Sequence, residues 1–246
     1  MIKTQSLFRT ATNAAIITVS LIRYNLIIVF SHKFRYFFGA AIGVFLAINA
    51  LMLYNIDAAP DEGMVFWMLL IPGMLVVFYP SAFGIQNDVD TGMIEILFGI
   101  PNYRYTVWLV RLLLIIGVVT AMTAGLGVAV SYLVSPIPVI AMTFHLVLLI
   151  GFFGGVAFMA STIIKSGNGA AVVTVIVGIV CWVMRDFFES HRTWDIFLNP
   201  FSPPTNMSPV IWYDIVFHNR IYLAAAILIT VLAGLLNLQN RERFLP

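Results

Sequence analysis

VIAMTFHLVLLIGFFGGVAFMASTII, residues 139–164, is 26 residues long and contains no Asp, Glu, Lys or Arg. A helix needs about 20 mostly apolar residues to cross about 30 Å of hydrocarbon, and this run exceeds that length. Being apolar on every side, it has no polar face to offer water, so lipid or protein must surround it. Five further segments meet the same test, approximately residues 37–56, 64–84, 106–134, 170–184 and 221–238. Residues 170–184 are short for a span unless they continue into Asp186. Residues 106–134 carry Arg111 near one end, from which a long basic side chain can snorkel to the headgroups.

The whole composition agrees. Of 246 residues, 61% are apolar and only 10% charged, with mean hydropathy +0.98. An ordinary soluble domain is roughly a quarter charged, so too few charges remain here to clothe a water-exposed surface. The chain reads as an all-α polytopic membrane protein, one transmembrane domain over residues 1–246 with six transmembrane helices. Its single cysteine, Cys181, excludes an intramolecular disulfide and a cysteine-based metal cluster. The net charge of +2 comes from basic residues scattered between apolar runs, which excludes a nucleic-acid-binding face.

Residues 10–31 hold 22 residues with one charge, Arg23. Arg9, Asn13, Ser20, Tyr24 and Ser31 recur at intervals of four and seven, along one side of a helix. That pattern favours an N-terminal interfacial helix over a seventh span, in which a central Arg would cost about 2.5 kcal/mol or more. No apolar stretch with a small-residue cleavage site follows Lys3 and Arg9, so no cleaved signal peptide is expected.

Six spans put both termini on one side. Lys3, Arg9, Arg23, Lys33, Arg35, Arg104, Arg111, Lys165, Arg241 and Arg243, ten of thirteen basic residues, then share that side, leaving Arg185, Arg192 and Arg220 opposite. The positive-inside bias makes the termini cytoplasmic, in the cell membrane. Outside, 57–63 and 135–138 only turn the chain. The third external connection, 185–220, is 36 residues long and mixes Trp194, Phe197, Phe201, Trp212 and Phe217 with four prolines. It suits either short elements capping the bundle or an interfacial aromatic belt. Within the spans, Gly39 and Gly43, and Gly151 and Gly155, form G-x-x-x-G pairs that allow close helix approach. Pro72 and Pro80 predict kinks.

Candidate chemistry is sparse. His145 lies inside the fourth span with no intramembrane carboxylate to exchange protons with, which favours a hydrogen-bonded packing role over a proton relay. Ser161 lacks a nucleophile turn, and H-E-x-x-H and the phosphate loop G-x-x-x-x-G-K-[ST] are absent from the sequence, so the chain is expected not to be an enzyme. One segment between spans two and three stands apart: Asn87-Asp88-Val89-Asp90-Thr91-Gly92-Met93-Ile94-Glu95-Ile96-Leu97-Phe98-Gly99-Ile100-Pro101. Asp88 or Asp90 can cap a helix there, Gly99 and Pro101 read as its stop, and residues 88–98 would present Met93, Ile94 and Leu97 as hydrophobic anchors around Glu95. A soluble partner could grip such a helix; the plain alternative is an interfacial connector.

This segment resembles the cytoplasmic signature of the ABC-2 type exporter permeases, roughly E-x-E-x-G-T-L-E-x-L-x-x-x-P. Gly92, Ile94, Glu95, Leu97 and Pro101 match it in register, while Asp90 stands where the family usually has Glu and Met93 where Thr is common. Six spans, an N-terminal interfacial helix, a long aromatic connection and Asn199-Pro200-Phe201 within it are also similar to that family. The resemblance implies the permease of an ATP-binding-cassette exporter, paired with a second copy or a related permease. A separate ATPase subunit would bind ATP and Mg and dock on a coupling helix carrying Asp88, Asp90, Thr91, Gly92, Met93, Ile94, Glu95, Leu97 and Pro101. No cofactor is expected on this chain. Weakly charged, aromatic walls suit an amphiphilic substrate. A rival reading is a noncatalytic membrane scaffold that holds a partner through the same helix.

Overall fold

The structure is a computed structural model that describes residues 32–55, 60–99, 102–164, 166–185, 187 and 192–239. These form α1 (His32–Asn55), α2 (Glu62–Asp90), α3 (Met93–Phe98), α4 (Val110–Leu133), α5 (Val139–Ile164), α6 (Gly167–Met184) and α7 (Pro209–Asn237). A π-helical turn, Arg104–Leu109, runs directly into α4. All but α3 are long and apolar enough to cross a membrane, which makes six candidate spans, and no strand occurs among the described residues. The expected interfacial helix at residues 10–31 and the coupling-segment residue Pro101 lie outside the described residues.

The bundle is built around α5, which packs against α2, α4, α6 and α7. In the most apolar 18-residue window of α5, 72% of residues are buried, against 17% in α6 at the periphery. In lipid such packing comes from close contact between helices, because hydrocarbon tails are as apolar as the side chains. The two G-x-x-x-G pairs behave differently. A Cβ on Gly155 would lie 2.5 Å from the Thr230 hydroxyl and one on Gly151 3.5 Å from Ile227, so this pair lets α7 approach α5. Gly39 and Gly43 have nothing within 4 Å of the equivalent position, so they bring no described helix close.

Two helices run further than their hydropathy. α2 does not stop near Gly84 but continues to Asp90, helical through Pro72 and Pro80, because Ile85 is buried in the core and Asp88 finds a charged partner. α7 begins at Pro209 rather than near residue 221. The Ser208 hydroxyl accepts a 3.4 Å bond from the amide of Ile211, and proline occupies the first turn, where its missing N–H costs nothing. Residues 209–220 are too polar to read as a span, yet Trp212, Val216, Asn219, Arg220 and Leu223 share one helix face and are all buried. Arg220, expected in the external connection, is therefore inside the bundle. The rest of that connection divides: Phe197, Leu198 and the Trp194 turn cap the bundle, with Phe197 and Leu198 buried and Trp194 exposed.

Candidate functional site

The segment at residues 88–98 is not one helix. Asp88 and Asp90 belong to the end of α2, the chain turns at Thr91 and Gly92, and only Met93–Phe98 forms α3. Neither aspartate caps α3. Its N-cap is Gly92, with φ 66° and no side-chain cap bond. That left-handed backbone is the reason glycine stands there, since a Cβ would meet open space but suffer conformational strain.

The two sides of α3 have opposite destinations. Ile94 and Leu97, expected as anchors for a partner, are buried within the chain's own cluster beside Ile85, Tyr103, Trp108, Phe158 and Leu238. Asp90, Thr91, Gly92, Glu95 and Ile96 face outward, and Met93 is half-buried. Ile96, 66% exposed, is an apolar residue this surface offers that sequence reasoning missed. Glu95 has no ion pair among the described residues.

Behind this surface sits a buried ion pair. The Arg111 guanidinium donates from Nη1 to Asp88 Oδ2 at 2.5 Å, with both side chains 5% exposed. The same guanidinium lies over the Trp108 ring, 4.8 Å from its centroid. Arg111 therefore does not snorkel: an interior carboxylate meets it, joining the end of α2 to the start of α4. The Tyr103 hydroxyl donates to the Leu238 carbonyl, tying the same region to the end of α7. Gln86 Oε1 accepts from the amide of Gly167 at 2.6 Å, which ties it to the start of α6.

At the opposite end of the bundle polar groups are arranged differently. Asn199 Nδ2 donates to the Gly63 carbonyl at 2.9 Å while its Oδ1 accepts from the amide of Phe201 at 3.0 Å. Asn219 Nδ2 donates to the carbonyls of Thr193 and Asp195, at 2.9 and 2.8 Å. Arg220 donates from Nη2 to the Leu198 carbonyl at 2.8 Å and from Nε to His145 Nδ1 at 3.0 Å. His145 is thus hydrogen-bonded, with an arginine as its partner. Asp195 accepts from the amide of Phe197 at 2.9 Å and pairs with Arg185 Nε at 3.4 Å. Burial raises the Asp195 carboxyl above its ordinary value, against the opposing pull of Arg185, the Phe197 amide, Arg192 and Arg220.

For chemistry, the described residues hold no group of three or more His, Cys, Asp or Glu placed to bind a metal. The Ser161 hydroxyl donates to the Phe158 carbonyl at 2.7 Å, an ordinary helix back-bond. The first end presents an outward patch packed on residues of α2, α4, α5 and α7. Comparison with family models, curated proteins and solved structures gives no match for this chain.

Proposed function

We propose that the chain is the membrane-spanning permease subunit of an ATP-binding-cassette exporter, working as a pair with a second permease copy or relative. A separate ATPase subunit binds ATP and Mg and docks on residues 90–96. The observation that carries this reading is the division of residues 90–97: Asp90, Gly92, Glu95 and Ile96 face outward while Ile94 and Leu97 lock the segment into the bundle. The α3 end and both termini are then cytoplasmic, in keeping with ten of thirteen basic residues on that side.

The mechanism follows from the mounting. A push on the patch moves α3 against Trp108 of the π-helical turn, Phe158 of α5 and Leu238 beyond α7, all in its cluster. The Asp88–Arg111 pair prevents α2 and α4 from separating under that load, so movement is shared by several spans rather than absorbed in a loop. Stiffness is what coupling needs, because a flexible connector would dissipate a partner's motion. The cargo is an amphiphile, in keeping with the apolar character of the walls.

The test is transport of an amphiphilic reporter, and co-purification of the ATPase, in vesicles containing both subunits. Glu95→Ala and Ile96→Ser remove outward groups and should reduce both readouts. Gly92→Leu adds bulk but also strains the turn, so Gly92→Asn, which tolerates the left-handed backbone, is its companion. An outer-face variant, Val210→Ala on the exposed start of α7, is the control. Docking without ATP-driven transport would favour the scaffold; normal docking and transport in all cytoplasmic variants would overturn the patch assignment.

A further inference from the structure

A cavity of about 530 Å³ opens between α2 and α6, floored by Phe153 of α5 and closed at one end by Phe197. Its α2 wall runs from Trp67 to Phe78, a length of about 16 Å at 1.5 Å per residue. That is about half the 30 Å hydrocarbon thickness, the depth of a single leaflet. The lining is apolar apart from Thr174, whose hydroxyl donates to the Ala170 carbonyl at 2.8 Å within its own helix, and the two indoles. Nothing in the groove invites a polar ligand, and α6 is the helix that the bundle buries least.

The rim is different. Trp67 and Trp182 meet edge to face at 5.6 Å where the groove ends, and the Arg185 guanidinium lies over both rings, 5.8 and 5.7 Å from their centroids. Arg185 engages Asp195 through Nε, yet its side chain remains 38% exposed. Arg192 and Arg220 act on the same aspartate, so among the described residues one carboxylate answers three guanidinium groups. Asp186 and Glu189 of this connection lie outside the described residues. An apolar trough one leaflet deep, topped by indoles and an accessible guanidinium, is complementary in charge and shape to an amphiphile with an anionic head.

We infer that the α2–α6 groove seats one acyl chain of an anionic phospholipid, with its headgroup phosphate at Arg185. This needs only that the chain lies in a bilayer and does not rest on the transport reading. The test is the lipid retained per chain, measured by native mass spectrometry after extracting the full-length protein from bilayers of phosphatidylglycerol and phosphatidylcholine in equal amounts. Wild type should retain phosphatidylglycerol in preference. Gly178→Leu points a side chain into the groove from a position where a Cβ meets only Phe153, at 3.5 Å, and should abolish retention. Val175→Trp, on the exposed part of the same wall, does so without touching that contact, and Ile176→Phe, exposed outside the groove, should retain lipid normally. Arg185→Gln should lower the preference for phosphatidylglycerol about fivefold, the contribution of one basic residue, while lipid is still retained. Undiminished retention in both groove-filling variants would overturn the groove, and equal retention of the two lipids by wild type would overturn the headgroup assignment.

Discussion

The two ends of the bundle bury polar groups by opposite means. Beneath α3 a buried ion pair, Asp88–Arg111, joins two helices through full charges. At the far end Asn199, Asn219 and Arg220 spread their hydrogen bonds over backbone carbonyls of an irregular connection. The difference is in how damage propagates. Removing one member of a buried pair strands a full charge in a low dielectric, whereas removing one amide strands only dipoles. A concentrated pair makes a stiff joint that fails as a unit; a distributed network makes a cap that degrades in steps.

The largest expected effect is therefore at the pair. Asp88→Ala should destabilise the detergent-solubilised protein by about 3–5 kcal/mol, while the double variant Asp88→Ala, Arg111→Leu recovers most of that loss. Equal losses in the single and double variants, read from unfolding in denaturant, would mean the pair is not a unit. Next, Asn219→Ala leaves the carbonyls of Thr193 and Asp195 without this donor and should cost about 1–3 kcal/mol. A loss as large as that at Asp88 would erase the distinction between the ends.

A smaller effect is pH-dependent. Because Asp195 is raised in the folded state, its proton favours folding at low pH, and that contribution is lost as pH rises from the unfolded value through the folded one. Wild type should lose stability relative to Asp195→Asn across that interval, measured as the difference in unfolding midpoint; an opposite slope would show that the arginines outweigh burial. Least of all, Glu95→Ala should change stability by no more than about 0.5 kcal/mol, since its carboxylate is exposed. Any effect on docking would then be separable from folding.

The residues that misled are instructive. Arg111 and Arg220 both looked peripheral, one as a snorkelling side chain and one as part of a loop, because hydropathy scores each residue as though it faced lipid. Arg111 is accommodated by Asp88, 23 positions away, and Arg220 by Leu198 and His145, 22 and 75 positions away. Such partnerships leave no local periodicity. The amphipathic face of residues 209–220 was a signal that could have been found, had Trp212, Val216 and Asn219 been read at helical spacing instead of by average polarity. The segment at 88–98 was legible as special from its acids, Gly92 and Glu95, but which way Ile94, Ile96 and Leu97 point depends on where the turn at Gly92 aims α3.

The sequence by itself determined that this is a helical membrane protein with six long apolar helices among the described residues, because in lipid every backbone polar group must be satisfied within its own segment, and length and composition record that demand locally. Tertiary structure alone decided which glycine pair brings helices together, which arginines are buried, and that α3 turns Ile94 and Leu97 inward and Glu95 and Ile96 outward. Those outcomes depend on which surfaces meet. Between helices surrounded by lipid, no difference in hydrophobicity marks the surfaces in advance; shape, and the need to pair each buried charge, selects them.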